Sequence, residues 1–309
     1  MAAYGSSTSP MSSPASATDL ALQPRVAELL AAGSLEISPR ELHRAGEAGA
    51  ILPKDTCVYI PSLPGLPLSR TLEAVAAIRA AGLDPVPHVS ARRVLDREEF
   101  EQFLKTAVAR HGVHRVLLIG GDEPRPKGPY SDSVQLLEEG VLAGAGIREF
   151  GVAGYPEGHP RIPAPELSAA FQKKVRLARD QGIGLYVVTQ FSFSPARVVE
   201  FCSLLARSAP AVSVYVGLAG PTDPVALARY AQRCGVSVSL RALRNLGTGI
   251  AKLVTHTDPG EQLLAVARYS ASREPSNVAG MHLFSFGGVL RTAAWMRARI
   301  ATELAAPAP

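Results

Sequence analysis

The chain has 309 residues, 32 Lys and Arg against 27 Asp and Glu for a net charge of +5, 47% hydrophobic residues and 19% charged ones. This excludes a disordered chain and a small disulfide-built scaffold, because there is enough apolar sequence to bury a sizeable core. The positive charge is interleaved with acidic residues and forms no dense basic block, so nucleic acid is not an expected partner. Cys57, Cys202 and Cys234 are odd in number, far apart, and lack a CxxC pair or a His at zinc-ligand spacing. They read as reduced core cysteines, and no metal site is expected. No apolar stretch approaches the roughly 20 residues of a membrane span, so no membrane partner is expected.

Residues 1–20 are rich in Ser, Ala, Thr and Pro and carry neither a positive charge nor an apolar stretch of signal-peptide length. They are expected to form a disordered tail, with the cytoplasm as the default location. From there short β-branched or apolar runs alternate with longer stretches of helical period. The predicted strands are SLEIS (34–38), TCVYIPS (56–62), PVPHVSA (85–91), RVLLIGG (115–121), REFGVAGYP (148–156), LYVVTQF (185–191), VSVYVGLAG (212–220) and GMHLFSFGG (280–288). The predicted helices cover 68–82, with Gly82 as its stop, then 98–112, 131–144, 166–182, 194–209, 223–235 and 261–272, with a less regular stretch over 235–247. The last helix is ended by proline punctuation after Leu304.

Strand then helix, repeated about eight times, calls for parallel pairing with right-handed crossovers, and eight such units close into a (βα)8 TIM barrel over residues 21–304, a single domain. A doubly wound open sheet is the other arrangement of this pattern. Glu36, His88, Asp122, Tyr155, Gln190 and Gly287-Gly288 all fall at or just beyond the C-terminal ends of predicted strands. That is the face on which barrel enzymes carry their chemistry.

In order along the chain, LEISP (35–39), PHVSA (87–91), GGDEP (120–124), GYPEGHP (154–160), Lys173-Lys174, VTQFSF (188–193) and HLFSFGG (282–288) follow the motifs of one family. The chain resembles methylenetetrahydrofolate reductase, with GYPEGHP and VTQFSF the most specific matches. The resemblance implies a barrel that binds FAD at its C-terminal face and moves a hydride between flavin N5 and the methylene carbon of 5,10-methylenetetrahydrofolate, giving 5-methyltetrahydrofolate. A five-membered ring must open to an electrophilic iminium cation, so a proton donor and a nearby carboxylate are needed.

The resemblance implies a role for each matching residue. Glu36 would be the general acid; its flanks Leu35 and Ile37 are apolar and are expected to raise its pKa by desolvation. On the residues alone it is a solvated strand-end carboxylate. Asp122 would favour the cationic intermediate and contact both flavin and folate, with Gly121 giving the close backbone approach. Its plain reading is a turn or N-cap Asp before Pro124. Tyr155, His159 and His88 would line the flavin, Lys174 would pair with the FAD phosphates, and Gln190 would offer its amide to a pterin edge. GGDEP also shares letters with the GGDEF signature of cyclic-dinucleotide synthases, but that signature sits in a hairpin and this motif follows a parallel-type strand.

The chain also departs from the family. Where the second strand usually ends in a Thr-Tyr-Gly-Ala-like motif it reads IPSLPG, with Pro61 or Ser62 at the Thr, which leaves NAD(P)H use open. Gly120 replaces an Arg, Gly287-Gly288 replaces Asn-Arg, and HPEA becomes His159-Pro160-Arg161-Ile162, with Leu167 where an acidic residue is expected. Arg291 is the candidate to supply the missing cation to the folate. One expectation is an enzyme working mainly in the direction of 5-methyltetrahydrofolate oxidation, with an electron partner other than NADH. A homo-oligomer is expected from the relatives. Competing readings are a flavin-free reductase, a non-catalytic barrel homologue, and a barrel lyase or aldolase, the last lacking a strand-end lysine for Schiff-base chemistry.

Overall fold

Eight short apolar runs form eight parallel strands that close in sequence order into a barrel in the computed structural model, which describes residues 21–222, 227, 230, 259–272 and 274–305. The strands are β1 (Ser34–Glu36), β2 (Cys57–Ile60), β3 (Asp84–Ser90), β4 (Arg115–Ile119), β5 (Glu149–Gly154), β6 (Gly184–Thr189), β7 (Ser213–Ala219) and β8 (Val278–Phe284). Closure comes from β8 against β1, with Ser34 opposite His282. The (βα)8 barrel is therefore the fold, and the open sheet is excluded. The predicted tail over 1–20, the predicted helix over 223–235 apart from Leu227 and Tyr230, the stretch over 235–247, and Cys234 lie outside the described residues.

Helices of the described residues are α1 (Gln23–Ala31), α2 (Ala45–Ile51), α3 (Leu68–Ala80), α4 (Arg97–His111), α5 (Ser133–Glu138), α6 (Val141–Gly144), α7 (Ala164–Asp180), α8 (Pro195–Ser208), α9 (Gly260–Ser270) and α10 (Val289–Ala305). The period-3.6 pattern of α4 buries Phe100, Phe103, Leu104 and Ala107 against the barrel, each large side chain contributing about 1.5–3 kcal/mol. Its ends are fixed chemically: Asp96 Oδ1 accepts from the Glu99 N–H, and Gly112 adopts φ 62°. The single helix expected over 131–144 is instead two, because Gly140 takes φ 68° and breaks the ladder between α5 and α6. Helices α1 and α2 were not expected. The first closes the barrel's N-terminal side, burying Val26, Leu29 and Leu30 and packing on α10 and β8.

Period-2 alternation sorts each strand's side chains. Leu35, Val58, Ile60, Val89, Val116 and Leu118 face the helices, while Tyr59, Val86, Leu117, Tyr186 and Val188 fill the barrel interior. At the N-terminal end of the interior Arg115 pairs with Glu149 at 2.8 Å and Arg79 pairs with Asp84. Cys57 lies beside this layer, and burial first, then Asp84, pushes its thiol up to about 11. Cys57 and Cys202 are free thiols, as the sequence led us to expect.

Candidate active site at the barrel mouth

Glu36 is the last residue of β1, and its side chain points into the barrel mouth between two imidazoles. Its Oε1 is 3.9 Å from His88 Nε2 and 3.6 Å from His282 Nε2. Leu35 and Ile37, expected to surround the carboxylate, are fully buried on the opposite, helix-facing side, because adjacent strand residues point opposite ways. Histidines line it instead. His282 is fixed by Ser34, whose Oγ is 2.9 Å from Nδ1, and Tyr59 packs edge-on against both imidazoles. The Tyr59 hydroxyl donates to Tyr186 Oη at 3.1 Å, which holds that ring in place. His88 is buried, and its Nε2 has no hydrogen-bond partner among the described residues. Burial pulls its pKa down to about 4, with Glu36 opposing and His282 reinforcing, so His88 is neutral near pH 7.

His282 was not singled out from the sequence, although HLFSFGG was. A usable signal was present: in GMHLFSF the alternation puts Gly280, His282 and Phe284 on the inward face, and an inward His in a barrel strand needs a polar partner.

Two consecutive carboxylates follow β4 and do different things. Gly121 turns the chain with φ 97°, and a Cβ there would overlap Ser90 Oγ. Asp122 then projects outward with its side chain 90% exposed, its Oδ1 3.5 Å from Arg161 Nη2. Glu123 turns inward, forming an ion pair with buried Arg93, whose Nη1 also donates to Ser62 Oγ at 2.9 Å. The Ser62 hydroxyl is thus engaged in tying the loops after β2, β3 and β4 together.

Arg161 rides on the Pro-flanked loop after β5. His159 shapes that loop, its Nδ1 accepting the N–H groups of Arg161 at 3.2 Å and Ile162 at 3.1 Å, which places its ring proton on Nε2. Tyr155 packs edge-on to His159 at 4.9 Å between centroids. Desolvation, then the Arg161 cation, lowers the His159 pKa, and Asp122 works the other way.

Gln190 follows β6 directly. Its backbone N–H donates to Gly154 O at 2.7 Å, and its side-chain Oε1 accepts from the Phe191 N–H at 3.0 Å. Beyond it, two Phe-Ser-Phe segments, 191–193 and 284–286, build an aromatic wall over β6 and β8 that sequence reasoning missed. Phe286 takes φ 48° with Gly287 at φ 82° behind it; its ring stacks on Phe284 and Tyr230 and meets Phe191 edge-on.

Lys174 and Arg291 stand apart from these clusters, on α7 and α10. Lys174 is half-buried, and desolvation lowers its pKa, with Asp132 opposing. Among the described residues no carboxylate lies within 4 Å of its Nζ, whereas the adjacent Lys173 pairs with Glu138 at 2.5 Å. Arg291 is exposed in the first turn of α10 and makes no ion pair among the described residues. No group of His, Cys, Asp and Glu able to hold a metal occurs among the described residues, and none of their helices is long and apolar enough to cross a membrane.

Among solved structures, the chain is similar to the dihydropteroate synthase of Thermus thermophilus, with 17% identity over 88% of this chain and 93% of that one and a TM-score of 0.46. It is also similar to the type I 3-dehydroquinate dehydratase of Clostridium difficile, with 7% identity over 60% of this chain and 73% of that one and a TM-score of 0.38. Similarity of this order says nothing of function. The family model of methylenetetrahydrofolate reductase matches residues 65–248, which takes in His88, Asp122, Tyr155, His159, Lys174 and Gln190 but not Glu36 or His282. That span is more than half of the chain, and the protein belongs to the methylenetetrahydrofolate reductase family.

Proposed function

We propose that the protein is an FAD-dependent oxidoreductase of one-carbon metabolism that interconverts 5,10-methylenetetrahydrofolate and 5-methyltetrahydrofolate in the cytoplasm, as a homo-oligomer. The observation that carries this reading is the Glu36 carboxyl held between His88 and His282 at the C-terminal end of β1. Two of its three residues, Glu36 and His282, lie outside the family match, which runs over residues 65–248.

The residues present fit a flavin dinucleotide on two counts. The first is His88 Nε2, a buried polar atom at the mouth without a hydrogen-bond partner among the described residues, which suits a ring edge that offers hydrogen bonds. The second is Lys174, a half-buried ammonium with no close carboxylate among the described residues, on a helix whose Leu167, Ala170, Phe171 and Val175 remain partly exposed. A half-buried cation beside partly exposed apolar side chains suits a diphosphate followed by an aromatic base. Tyr155, His159 and the turn at Gly121 would complete the cofactor's lining. Bound there, the flavin supplies hydride exchange with the substrate's one-carbon group.

The chain's own residues would do the rest. Glu36 gives a proton to the ring nitrogen that leaves when the five-membered ring opens, and takes it back in the reverse direction. Neutral His88 and the Ser34-anchored His282 flank the Glu36 carboxyl. Asp122 supplies the negative charge that favours that cation. The Gln190 amide contacts the pterin edge, and the Phe191, Phe284 and Phe286 rings exclude water above β6 and β8. Since the Ser62 hydroxyl is already engaged by Arg93, the reading includes an electron partner other than a nicotinamide.

The test is an anaerobic visible spectrum of the purified, FAD-supplemented protein before and after 5-methyltetrahydrofolate. Bleaching of the flavin band near roughly 450 nm, absent in a Glu36→Gln sample, is expected. A protein that retains no flavin, or a flavin that folate does not reduce, overturns the reading.

A further inference from the structure

The contact between Arg161 and Asp122 joins two residues that the proposed reaction needs for different things. Asp122 is to meet a cation in the substrate, yet its Oδ1 is 3.5 Å from the Arg161 guanidinium. A carboxylate already neutralised by a neighbour is a poor stabiliser of a second positive charge. Both side chains are largely exposed, at 67% for Arg161 and 90% for Asp122, so the pair is weak and exchangeable.

Arg161 itself is placed with care. Pro160 and Pro163 flank its turn, His159 Nδ1 caps the Arg161 and Ile162 N–H groups, and α7 begins three residues later at Ala164. The guanidinium therefore hangs from a fixed backbone beside Asp122, three residues before the helix that carries Lys174 begins. A guanidinium in that place can exchange a single exposed carboxylate for a diphosphate, which offers more charge and a bidentate fit.

We propose that Arg161 is a cofactor-phosphate ligand that Asp122 holds in reserve: binding of the diphosphate draws Arg161 away and frees the Asp122 carboxylate for catalysis. The inference rests on the FAD reading above and adds a residue to it. It also makes Asp122 and the cofactor competitors for one cation, so removing the carboxylate strengthens cofactor binding.

The experiment is a calorimetric titration of the apoprotein with FAD and, separately, with riboflavin, which has no phosphate. Four proteins are compared: the unchanged chain, Arg161→Ala, Asp122→Asn and the double variant. All the substituted positions are exposed, so the fold is kept. Arg161→Ala should weaken FAD about three- to tenfold and leave riboflavin unchanged. Asp122→Asn should tighten FAD about two- to fivefold, and only while Arg161 is present. The proposal is overturned if Arg161→Ala leaves FAD affinity alone or weakens riboflavin equally. It is equally overturned if Asp122→Asn fails to tighten FAD, or tightens it as much without Arg161. An unchanged chain that binds neither compound would instead remove the cofactor reading itself, and this inference with it.

Discussion

Glu36 Oε1 lies 3.6 Å from His282 Nε2, across the seam where β1 meets β8. The last strand of the barrel thus supplies a wall for the carboxyl that the first strand presents. Replacing Glu36 with Gln keeps the shape and removes the proton donor. The rate at which 5-methyltetrahydrofolate bleaches bound flavin in a stopped-flow experiment should fall by about 10²- to 10⁴-fold. The thermal melt should stay close to that of the unchanged chain. A variant that reacts at an undiminished rate would remove Glu36 from the chemistry.

His88 makes stability depend on pH. Its folded pKa of about 4 is below that of an unfolded His, near 6.5, so between these values the unfolded chain binds a proton that the folded one refuses. Stability should therefore fall as pH drops from about 6.5 to about 4, by up to about 3 kcal/mol across the interval, and stay level with respect to this group above it. Urea unfolding of the apoprotein at stepped pH measures the slope. In His88→Gln that share of the slope should vanish, and a slope identical in both proteins would contradict the buried, neutral assignment.

Gly120 and Gly121 are adjacent, yet only the second needs to be glycine. Gly121 has φ 97° and a Cβ there would overlap Ser90 Oγ, whereas a Cβ at Gly120 meets nothing within 4 Å. Gly121→Ala should cost about 1–3 kcal/mol in urea unfolding, and Gly120→Ala under about 0.5 kcal/mol. Equal effects would mean that the turn into Asp122 is held by something other than its backbone conformation.

The barrel was legible because its signals are local: eight apolar runs, helical periods between them, and stops such as Gly82, which does take φ 77°. Strand-end placement was legible for the same reason, since Glu36 ends β1 and Gln190 follows β6. What the sequence could not show is pairing across strands. In Gly-Gly-Asp-Glu nothing local says that Asp122 faces out while Glu123 pairs with Arg93, 30 residues earlier. His282 was passed over because its partners, Ser34 and Glu36, are some 250 residues away in the chain and become neighbours only on closure. Gly140 shows the opposite error: a helical period ran through it unbroken, and the backbone stopped there.

Lys174 offers a test in which stability and binding should move in opposite directions. Its side chain is half-buried, desolvation lowers its pKa, and among the described residues no carboxylate lies within 4 Å to offset that cost. A charge kept under such conditions costs the apoprotein stability. Lys174→Met retains the aliphatic stem and removes the charge, so the apoprotein's melting temperature should hold or rise by a few degrees. FAD affinity should fall by about tenfold, while riboflavin affinity is unaffected, because only the dinucleotide brings phosphate. An apoprotein that loses stability together with its affinity would make Lys174 a packing residue of α7 rather than the cation of a phosphate site.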